Sequence, residues 1–289
     1  MKPRIAIPLP HGADPEYAER AIPQYERAVE LAGGEPVRIP LDRTPAEVMK
    51  LIERCDAVLL PGSKADVDPA KFDAARHEKT ETADPKRDTV DELLLQDAYN
   101  MHKPVLGICY GLQILNVYRS GTLVQHIESP VNHEAGRTVP VAHSVAIESG
   151  SRLAEIIAPR AAARFSAGSI SPRLKAGAFT EPQASLMDPI AFNRDRALAP
   201  AGQLVIPANS SHHQSADVIG DGLKIVARCP DDGVIEALEG TSPDHFVLAV
   251  QWHPERSFEH DQRSRRIFRA LVEAAAQKHK DLVGEFEGN

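Results

Sequence analysis

The first half of the chain alternates between short apolar runs and longer stretches in which apolar positions recur every three or four residues. The apolar runs predict β-strands. The spaced positions predict helices, because a helix brings every third or fourth side chain to one face. The predicted strands are residues 5–9, 36–39, 57–60 and 105–108, and the predicted helices are residues 15–32, 45–54 and 86–101. Such alternation is typical of an α/β fold with a mostly parallel, doubly wound sheet, a flavodoxin-like core.

The second half of the chain carries shorter strands separated by turn residues, which favours a smaller antiparallel addition to the core. These strands are predicted at residues 122–125, 143–147, 223–227, 234–238 and 246–250, and a final helix at 262–277 precedes a tail, 284–289, that is expected to fray. Residues 159–205 show no sustained period, so we expect an insertion with one or two short helices, either a lid or a decoration. We interpret residues 1–289 as a single domain.

A cysteine stands where the strand 105–108 gives way to the next helical pattern, in Gly107-Ile-Cys-Tyr-Gly111. Small residues on both sides allow the sharp strand-to-helix turn called a nucleophile elbow, which lifts the nucleophile above the sheet. The positive end of the helix is expected to lower the pKa of the Cys109 thiol and so favour the reactive thiolate. The alternative interpretation is a buried structural cysteine.

A base for such a thiol follows the predicted strand 246–250, in Trp252-His-Pro-Glu255. In an extended segment, residues two apart point the same way, so the Glu255 carboxylate is expected to lie beside the His253 ring. That arrangement would hold one imidazole tautomer and stabilise its protonated form. Alone, these residues could equally form a surface turn. Together with Cys109 they predict a Cys-His-Glu triad.

Attack of sulfur on an amide carbonyl creates a negatively charged oxygen, which needs N–H donors. One candidate donor is the backbone N–H of Tyr110, at the start of the helix that follows the cysteine. A second candidate is the turn Gly62-Ser63, because it ends the strand 57–60 at the same edge of a parallel sheet. The alternative for this second segment is an ordinary turn.

With these residues the chain resembles the class I glutamine amidotransferase-like superfamily and, within it, the γ-glutamyl-γ-aminobutyrate hydrolase family. The triad and further motifs carry the resemblance from about residue 5 to residue 255, apart from a stretch near 160–205. The further motifs are Leu60-Pro-Gly-Ser63, Asp66-Val-Asp-Pro69, Asp84-Pro-Lys-Arg-Asp88, Asn116-Val117, Gly121-Thr-Leu-Val-Gln125 and Asn209-Ser-Ser-His-His-Gln214. Two positions depart from the family: Ser120 replaces the first glycine of a pair, and His126 replaces a common aspartate.

The resemblance implies a cysteine hydrolase that cleaves the γ-glutamyl amide of γ-glutamyl-γ-aminobutyrate, or of a related γ-glutamyl amine, through a thioester, as in polyamine catabolism. It implies a substrate-binding role for Gln113, His212, His213, Gln214, Asp66 and Arg87. Without it, Arg87 and Asp88 would be read as a surface pair. Two other interpretations stay open: a glutaminase subunit that passes ammonia to a separate synthase, and a binding or regulatory protein without the chemistry.

The composition narrows the choice of partners. The 289-residue chain has a net charge of -8, which disfavours nucleic acid and anionic membranes as partners. It contains no apolar run of about 18 residues, and its N-terminus does not read as a signal peptide. We expect a cytoplasmic enzyme with a small-molecule substrate, and a homo-oligomer is one option. Three cysteines at unrelated spacings argue against a disulfide framework.

Two adjacent histidines, His212 and His213, raise the question of a metal ion. No carboxylate or third histidine stands near them in sequence at ligand spacing, and thiolate chemistry needs no metal. The sequence therefore predicts no metal and no cofactor.

Overall fold

The computed structural model describes residues 2–158 and 203–287, with side chains described as far as residue 280. The strands are β1 (Arg4–Pro8), β2 (Glu35–Ile39), β3 (Ala57–Leu60), β4 (Val105–Ile108), β5 (Leu123–Val124), β6 (His143–Ile147), β7 (Leu204–Ala208), β8 (Ser215–Ala216), β9 (Leu223–Arg228), β10 (Ile235–Gly240) and β11 (Val247–Val250). The helices are α1 (Pro15–Ala32), α2 (Pro45–Ile52), α3 (Pro85–Met101), α4 (Tyr110–Tyr118), α5 (Arg152–Ile157) and α6 (Gln262–Glu287).

Nine of these strands form one sheet in the order β2-β1-β3-β4-β11-β10-β9-β6-β7. The first five strands in that order are parallel, and the remaining four extend the same sheet with antiparallel pairing. β5 and β8 form a separate antiparallel pair. The predicted α/β fold class, with a parallel core and an antiparallel addition, is confirmed.

Helices cover both faces of the parallel part, as a doubly wound sheet requires. On one face, apolar residues of α1 and α6, such as Ile22 and Phe268, pack against Ile5 and Ile7 of β1. On the other face, α2, α3 and α4 pack against side chains that point the opposite way from the same strands. Every residue of β3, β4 and β11 is buried, which explains why these strands are uninterrupted apolar runs.

The first helix has the boundaries that the sequence predicts, because strong signals stand at both ends. The Asp14 carboxylate accepts the N–H of Tyr17 at 2.9 Å, and Pro15 occupies the first turn. The helix stops at Gly33, whose φ of 99° favours glycine.

Several predictions for the second half differ from the structure. The strand predicted at 122–125 is observed only as the two-residue strand β5, which pairs with β8 outside the main sheet. β7 was not predicted; it begins at Leu204, inside the predicted insertion, because pairing with β6 decides it rather than local periodicity. The rest of that insertion, residues 159–202, lies outside the described residues. The short helix α5 was not predicted either.

The C-terminal helix is longer than predicted. α6 runs to Glu287 rather than 277, through most of the tail that was expected to fray. The sequence after 277 contains no proline, and its first glycine is Gly284. Nothing in that stretch therefore stops the helix strongly.

Candidate active site

The strained backbone of Cys109 lies between β4 and α4. Its φ of 53° is rare for a residue with a side chain, and its N–H donates to the Val250 carbonyl at 2.8 Å. The neighbouring glycines make the turn possible. A Cβ on Gly107 would lie 2.7 Å from the Gly111 oxygen, and a Cβ on Gly111 would overlap the Leu60 carbonyl. This is the geometry of a nucleophile elbow.

Three adjacent parallel strands deliver the central residues of the site. Gly62 follows β3, Cys109 follows β4 and His253 follows β11, so all three lie at the carboxyl edge of the sheet. Ligands of open α/β sheets bind at this edge. A cavity of about 690 Å³ opens here, and Cys109 and His253 contribute to its wall.

His253 is held both at its ring and at its backbone. Its Nδ1 lies 2.8 Å from Oε1 of Glu255, and its backbone N–H and C=O pair with the Asn209 amide at 2.9 Å each. Both side chains of the His253–Glu255 pair are buried, and Nε2 of His253 has no partner within the described residues. An oriented imidazole with one unengaged nitrogen can accept a proton there.

The reason why Glu255 approaches His253 differs from the prediction. Residues Pro254–Arg256 form a short 3₁₀ helix, not an extended segment. The tight turn, rather than the alternation of an extended strand, brings the carboxylate back to the ring. The expected proximity is present, but the local conformation that we inferred for it was wrong.

The turn after β3 differs in one respect from the expectation for two N–H donors. The N–H of Gly62 donates to the Tyr25 hydroxyl at 3.1 Å and is therefore engaged. The N–H of Ser63 has no acceptor within the described part of the chain. Gly62 matters through its missing side chain, because a Cβ there would lie 3.1 Å from Cε1 of His253 and 3.6 Å from Cβ of Cys109.

Burial shifts the pKa values of both Cys109 and His253. Desolvation raises the pKa of Cys109 to about 12, although Arg256 and a hydrogen bond from the Tyr110 N–H oppose the shift. The direction of the shift is therefore opposite to the expected lowering of the Cys109 pKa, because desolvation is the largest contribution. Burial likewise lowers the pKa of His253, against the attraction of Glu255. Both shifts favour the neutral forms, a thiol on Cys109 and an unprotonated imidazole on His253.

Five of the residues predicted to bind substrate lie in the cavity wall. They are Asp66, Gln113, His212, His213 and Gln214. Gln113 donates to the Gln214 carbonyl at 3.1 Å, and His213 pairs with Asp66 at 3.1 Å. The wall also includes His126, one of the two departures from the family pattern. The other departure, Ser120, has a φ of 70°, which explains why glycine is usual there.

Arg87 lies behind the cavity rather than in its wall. Its side chain is fully buried, pairs with Asp91 at 2.8 Å and donates to the Pro61 carbonyl at 2.9 Å. It therefore supports the turn that precedes Gly62 and does not reach the cavity. The alternative of a surface pair with Asp88 is also wrong, because Asp88 is buried and accepts from the Tyr110 hydroxyl at 2.6 Å.

From spacing along the chain we expected no further metal-ligand residues near His212. The folded structure contradicts that expectation. The fold brings two more histidines and a carboxylate, His133, His143 and Glu236, to His212. They come from segments that are distant in sequence, so spacing along the chain did not reveal them. The neighbouring His213 points away from this cluster, toward Asp66.

Comparison with known proteins identifies the family. The sequence model of the family described as Peptidase C26 matches residues 10–171 and 174–255. The chain belongs to the Peptidase C26 family. This family is class I glutamine amidotransferase-like, in agreement with the motifs in the sequence, and membership supports a hydrolase.

Among the proteins similar to this chain, some are named glutamine amidotransferases and others γ-glutamyl-γ-aminobutyrate hydrolases. "Putative glutamine amidotransferase Rv2859c" of Mycobacterium tuberculosis is 34% identical over 87% of this chain. The chain spans only 66% of the length of that relative. "Gamma-glutamyl-gamma-aminobutyrate hydrolase PuuD" of Escherichia coli is 27% identical, and the match covers 89% of this chain and 86% of that protein.

A solved structure supports the fold of this family member. A Thermoplasma acidophilum protein described as a putative subunit of GMP synthase superposes with a TM-score of 0.58, at 14% identity and over 98% of both chains. At that identity the likeness concerns the fold alone. Among the described helices, none has the length and apolarity to cross a bilayer.

Proposed function

We propose that this chain is a cysteine-dependent hydrolase that cleaves a γ-glutamyl amide through a thioester on Cys109. One observation carries the proposal: His253, oriented by Glu255 at 2.8 Å, leaves Nε2 without a partner in the wall of the cavity that contains Cys109. A nucleophile, a base and a group that orients the base are the parts that acyl transfer requires.

The first half-reaction forms the thioester. Nε2 of His253 takes the thiol proton of Cys109 as the sulfur attacks the γ-carbonyl carbon, and the carbonyl oxygen becomes negatively charged. The N–H groups of Tyr110 and Ser63 are the proposed donors to that oxygen. The C–N bond then breaks, and His253 returns the proton to the leaving amine. Burial raises the pKa of the thiol, which favours proton transfer to His253 during the attack over a thiolate formed beforehand.

The second half-reaction releases glutamate. Water enters the place of the departed amine, and His253 removes its proton as its oxygen attacks the thioester carbon. The C–S bond breaks, the sulfur recovers the proton, and glutamate leaves with a new γ-carboxyl group. The Glu255 carboxylate stabilises the imidazolium that forms in both halves.

Charge in the cavity favours a substrate that carries a second carboxylate. The wall contains five lysines and arginines, Arg20, Lys64, Lys79, Arg137 and Arg256, against three acidic residues, Asp66, Glu81 and Glu134. γ-Glutamyl-γ-aminobutyrate has two carboxylates and one ammonium, whereas glutamine has one of each. Lys64 and Arg256 already pair with carboxylates outside the wall, Asp14 at 2.8 Å and Glu255 at 3.5 Å. The cations of the wall that remain without a carboxylate partner within the described residues suit the former substrate better than the latter.

Four of these cations are exposed, namely Arg20, Lys64, Lys79 and Arg137. Lys64 pairs with Asp14 at 2.8 Å, and Lys79 contacts the His126 ring at 3.0 Å. Within the described residues, neither of the two exposed arginines, Arg20 and Arg137, has a carboxylate at ion-pair distance. We assign the distal carboxylate of the amine half to this pair.

The second candidate function is a glutaminase that delivers ammonia to a separate synthase. It is favoured by the relatives that are named glutamine amidotransferases. The charge of the cavity argues against it, because glutamine offers no second carboxylate.

The isolated chain is expected to release glutamate from γ-glutamyl-γ-aminobutyrate without any partner, and Arg137→Ala should raise KM for that substrate about 10-fold. This corresponds to ~1.4 kcal/mol, a usual value for one accessible charge-assisted hydrogen bond. KM for glutamine should change little, since it lacks the carboxylate. Steady-state kinetics on both substrates provide the measurement.

The matched control is Arg54→Ala, which removes an exposed arginine between α2 and β3, at the opposite edge of the sheet. It should leave both KM values unchanged. An equal rise in KM for the two substrates in Arg137→Ala would contradict the proposed role of the arginine. A chain that releases no glutamate on its own would contradict the proposed hydrolase.

A further inference from the structure

A cluster of four buried side chains lies next to the active site, and none of them makes or breaks a bond in the proposed reaction. We call it the buried histidine cluster; its members are His133, His143, His212 and Glu236. Each offers one ligand atom, and the four atoms lie within 4.8 Å of one another. One member, His212, also borders the cavity, but its Nε2 has no partner in the described part of the chain and lies within 4.8 Å of the ligand atoms of the other three. All four residues are buried, and Glu236 is completely inaccessible to solvent.

The inner atoms of the cluster have no hydrogen-bond partner among the described residues. Nδ1 of His133, Nε2 of His143, Nε2 of His212 and both carboxylate oxygens of Glu236 are buried and unpartnered. A polar group that loses water without gaining a partner destabilises a protein, and buried groups in this condition are rare. Four of these atoms, one from each residue, lie within 4.8 Å of one another, which indicates that something is bound between them.

The outer nitrogens of the three imidazoles are engaged. Nε2 of His133 lies 2.8 Å from Asp232, Nδ1 of His143 lies 3.2 Å from the Ser144 carbonyl, and Nδ1 of His212 lies 2.9 Å from the Gln214 carbonyl. A carbonyl only accepts hydrogen bonds, so the outer nitrogens of His143 and His212 carry the hydrogen. Metal-binding histidines have the same arrangement, since the outer bond fixes the tautomer and turns the inner lone pair to the ion.

The spacing of the inner atoms matches a small tetrahedral site. Oε1 of Glu236 lies 3.5 Å from the inner nitrogen of His133, 3.4 Å from that of His143 and 3.8 Å from that of His212. Ligands bound to zinc at ~2.0–2.1 Å in a tetrahedron are about 3.3 Å apart. The three separations from Oε1 are close to this value, and all four atoms lie within 4.8 Å of one another, so a contraction of at most about 1.5 Å in any pair would bring them to bonding distance of one central ion.

We propose that the buried histidine cluster binds one zinc ion in a closed, four-coordinate site. Three imidazole nitrogens and one carboxylate suit zinc, whereas calcium and magnesium need more oxygen ligands. Four protein ligands leave no open position for a reacting water, so the ion is structural.

The site would hold the segment that positions the catalytic base. The N–H of His212 and the hydroxyl of Ser210 both donate to the His133 carbonyl, at 2.9 and 2.6 Å. Asn209, at the start of this segment, pairs with the backbone of His253. A bound ion would thus fix the distance between the loop that contains His133 and Asn209, the residue whose side chain hydrogen-bonds the backbone of His253.

The metal content of untagged protein tests the proposal, with His212→Gln and His213→Gln as a matched pair. The wild type is expected to contain about one zinc per chain. His212→Gln should lose it, whereas His213→Gln should retain it because His213 faces Asp66. Absence of zinc from the wild type together with failure to take up added Zn²⁺, or retention of zinc by His212→Gln, would overturn the proposal.

Two measurements on wild-type protein remain informative if His212→Gln does not fold. Removal of the ion with a chelator should lower Tm by ~3 °C or more, and Zn²⁺ alone should restore it. Replacement by Co²⁺ should give the visible bands of a tetrahedral site without a thiolate charge-transfer band. A thiolate band that Cys229→Ser removes would instead assign the ion to His133, Cys229 and Asp232, the other group that the structure brings together, and would overturn our ligand assignment.

Discussion

Cys109→Ala is expected to lower kcat for glutamate release at least ~10⁴-fold while leaving the fold intact. The thiol is the only proposed nucleophile, and an oriented base without a nucleophile leaves little more than substrate binding. The backbone should tolerate the change, because alanine at φ 53° is no more strained than cysteine and the lost sulfur borders the cavity. Glutamate release and Tm measured on the same preparation separate lost chemistry from lost stability.

The matched control is Cys55→Ala. Cys55 is as well buried as Cys109, but its thiol donates to the Leu51 carbonyl at the end of α2 and does not line the cavity. Its replacement should leave kcat unchanged, even if packing costs some stability. Turnover by Cys109→Ala, or loss of turnover in both variants, would contradict the assignment.

Substitution of the base, His253, should lower activity more than substitution of Glu255, which orients it. His253→Ala should cost nearly as much as the loss of Cys109, because the thiol then has no base and the amine no proton donor. Glu255→Gln should lose at least ~10-fold less, since an amide oxygen can still accept the hydrogen on Nδ1. Comparison of kcat/KM for the two variants provides the test, and equal, total loss in both would mean that Glu255 does more than orient the ring.

The pH profile separates the two roles further. The pKa of His253 is lowered, so the ring stays neutral and able to accept a proton across neutral pH. We therefore expect kcat/KM to fall on the acid side only below the ordinary imidazole pKa of about 6.5. The Glu255 carboxylate favours the protonated ring, so Glu255→Gln should move the acid limb to still lower pH. A shift of the limb to higher pH in this variant would contradict the electrostatic role.

Features encoded locally were predictable from the sequence. The helix α1 is bounded by Asp14 and Gly33, which are recognisable end signals. The strands β3, β4 and β11 are short, uninterrupted apolar runs, which is the pattern expected of buried strands. The elbow of Cys109 was predictable because flanking glycines are the local requirement for such a turn. Edge strands such as β7 were not, because their conformation depends on pairing with a distant strand.

Features that depend on burial were predicted poorly. Local charge suggested a lowered pKa for the Cys109 thiol, but the complete removal of water from the group reverses the direction. Arg87 reads as a surface residue on the first turn of a helix, yet the turns around it supply enough carbonyls to bury a guanidinium.

The buried histidine cluster was missed for a different reason. Its members come from four separate segments, and only the fold brings them together. One signal was available: Glu236 interrupts the otherwise apolar run at 234–238, and a carboxylate in a buried strand needs a partner. Asn209 was likewise noted only as part of a motif. The sequence did not indicate that its side chain hydrogen-bonds the backbone of His253.

The most direct test of the central claim is the ratio of kcat/KM for γ-glutamyl-γ-aminobutyrate and glutamine, measured on the isolated chain. A hydrolase of γ-glutamyl amines must accept a leaving amine larger than ammonia, and the exposed Arg20 and Arg137 of the cavity wall suit its second carboxylate. We predict a ratio of at least ~10, equivalent to about 1.4 kcal/mol of transition-state binding. A preference for glutamine, or activity that appears only after a partner synthase is added, would contradict this account.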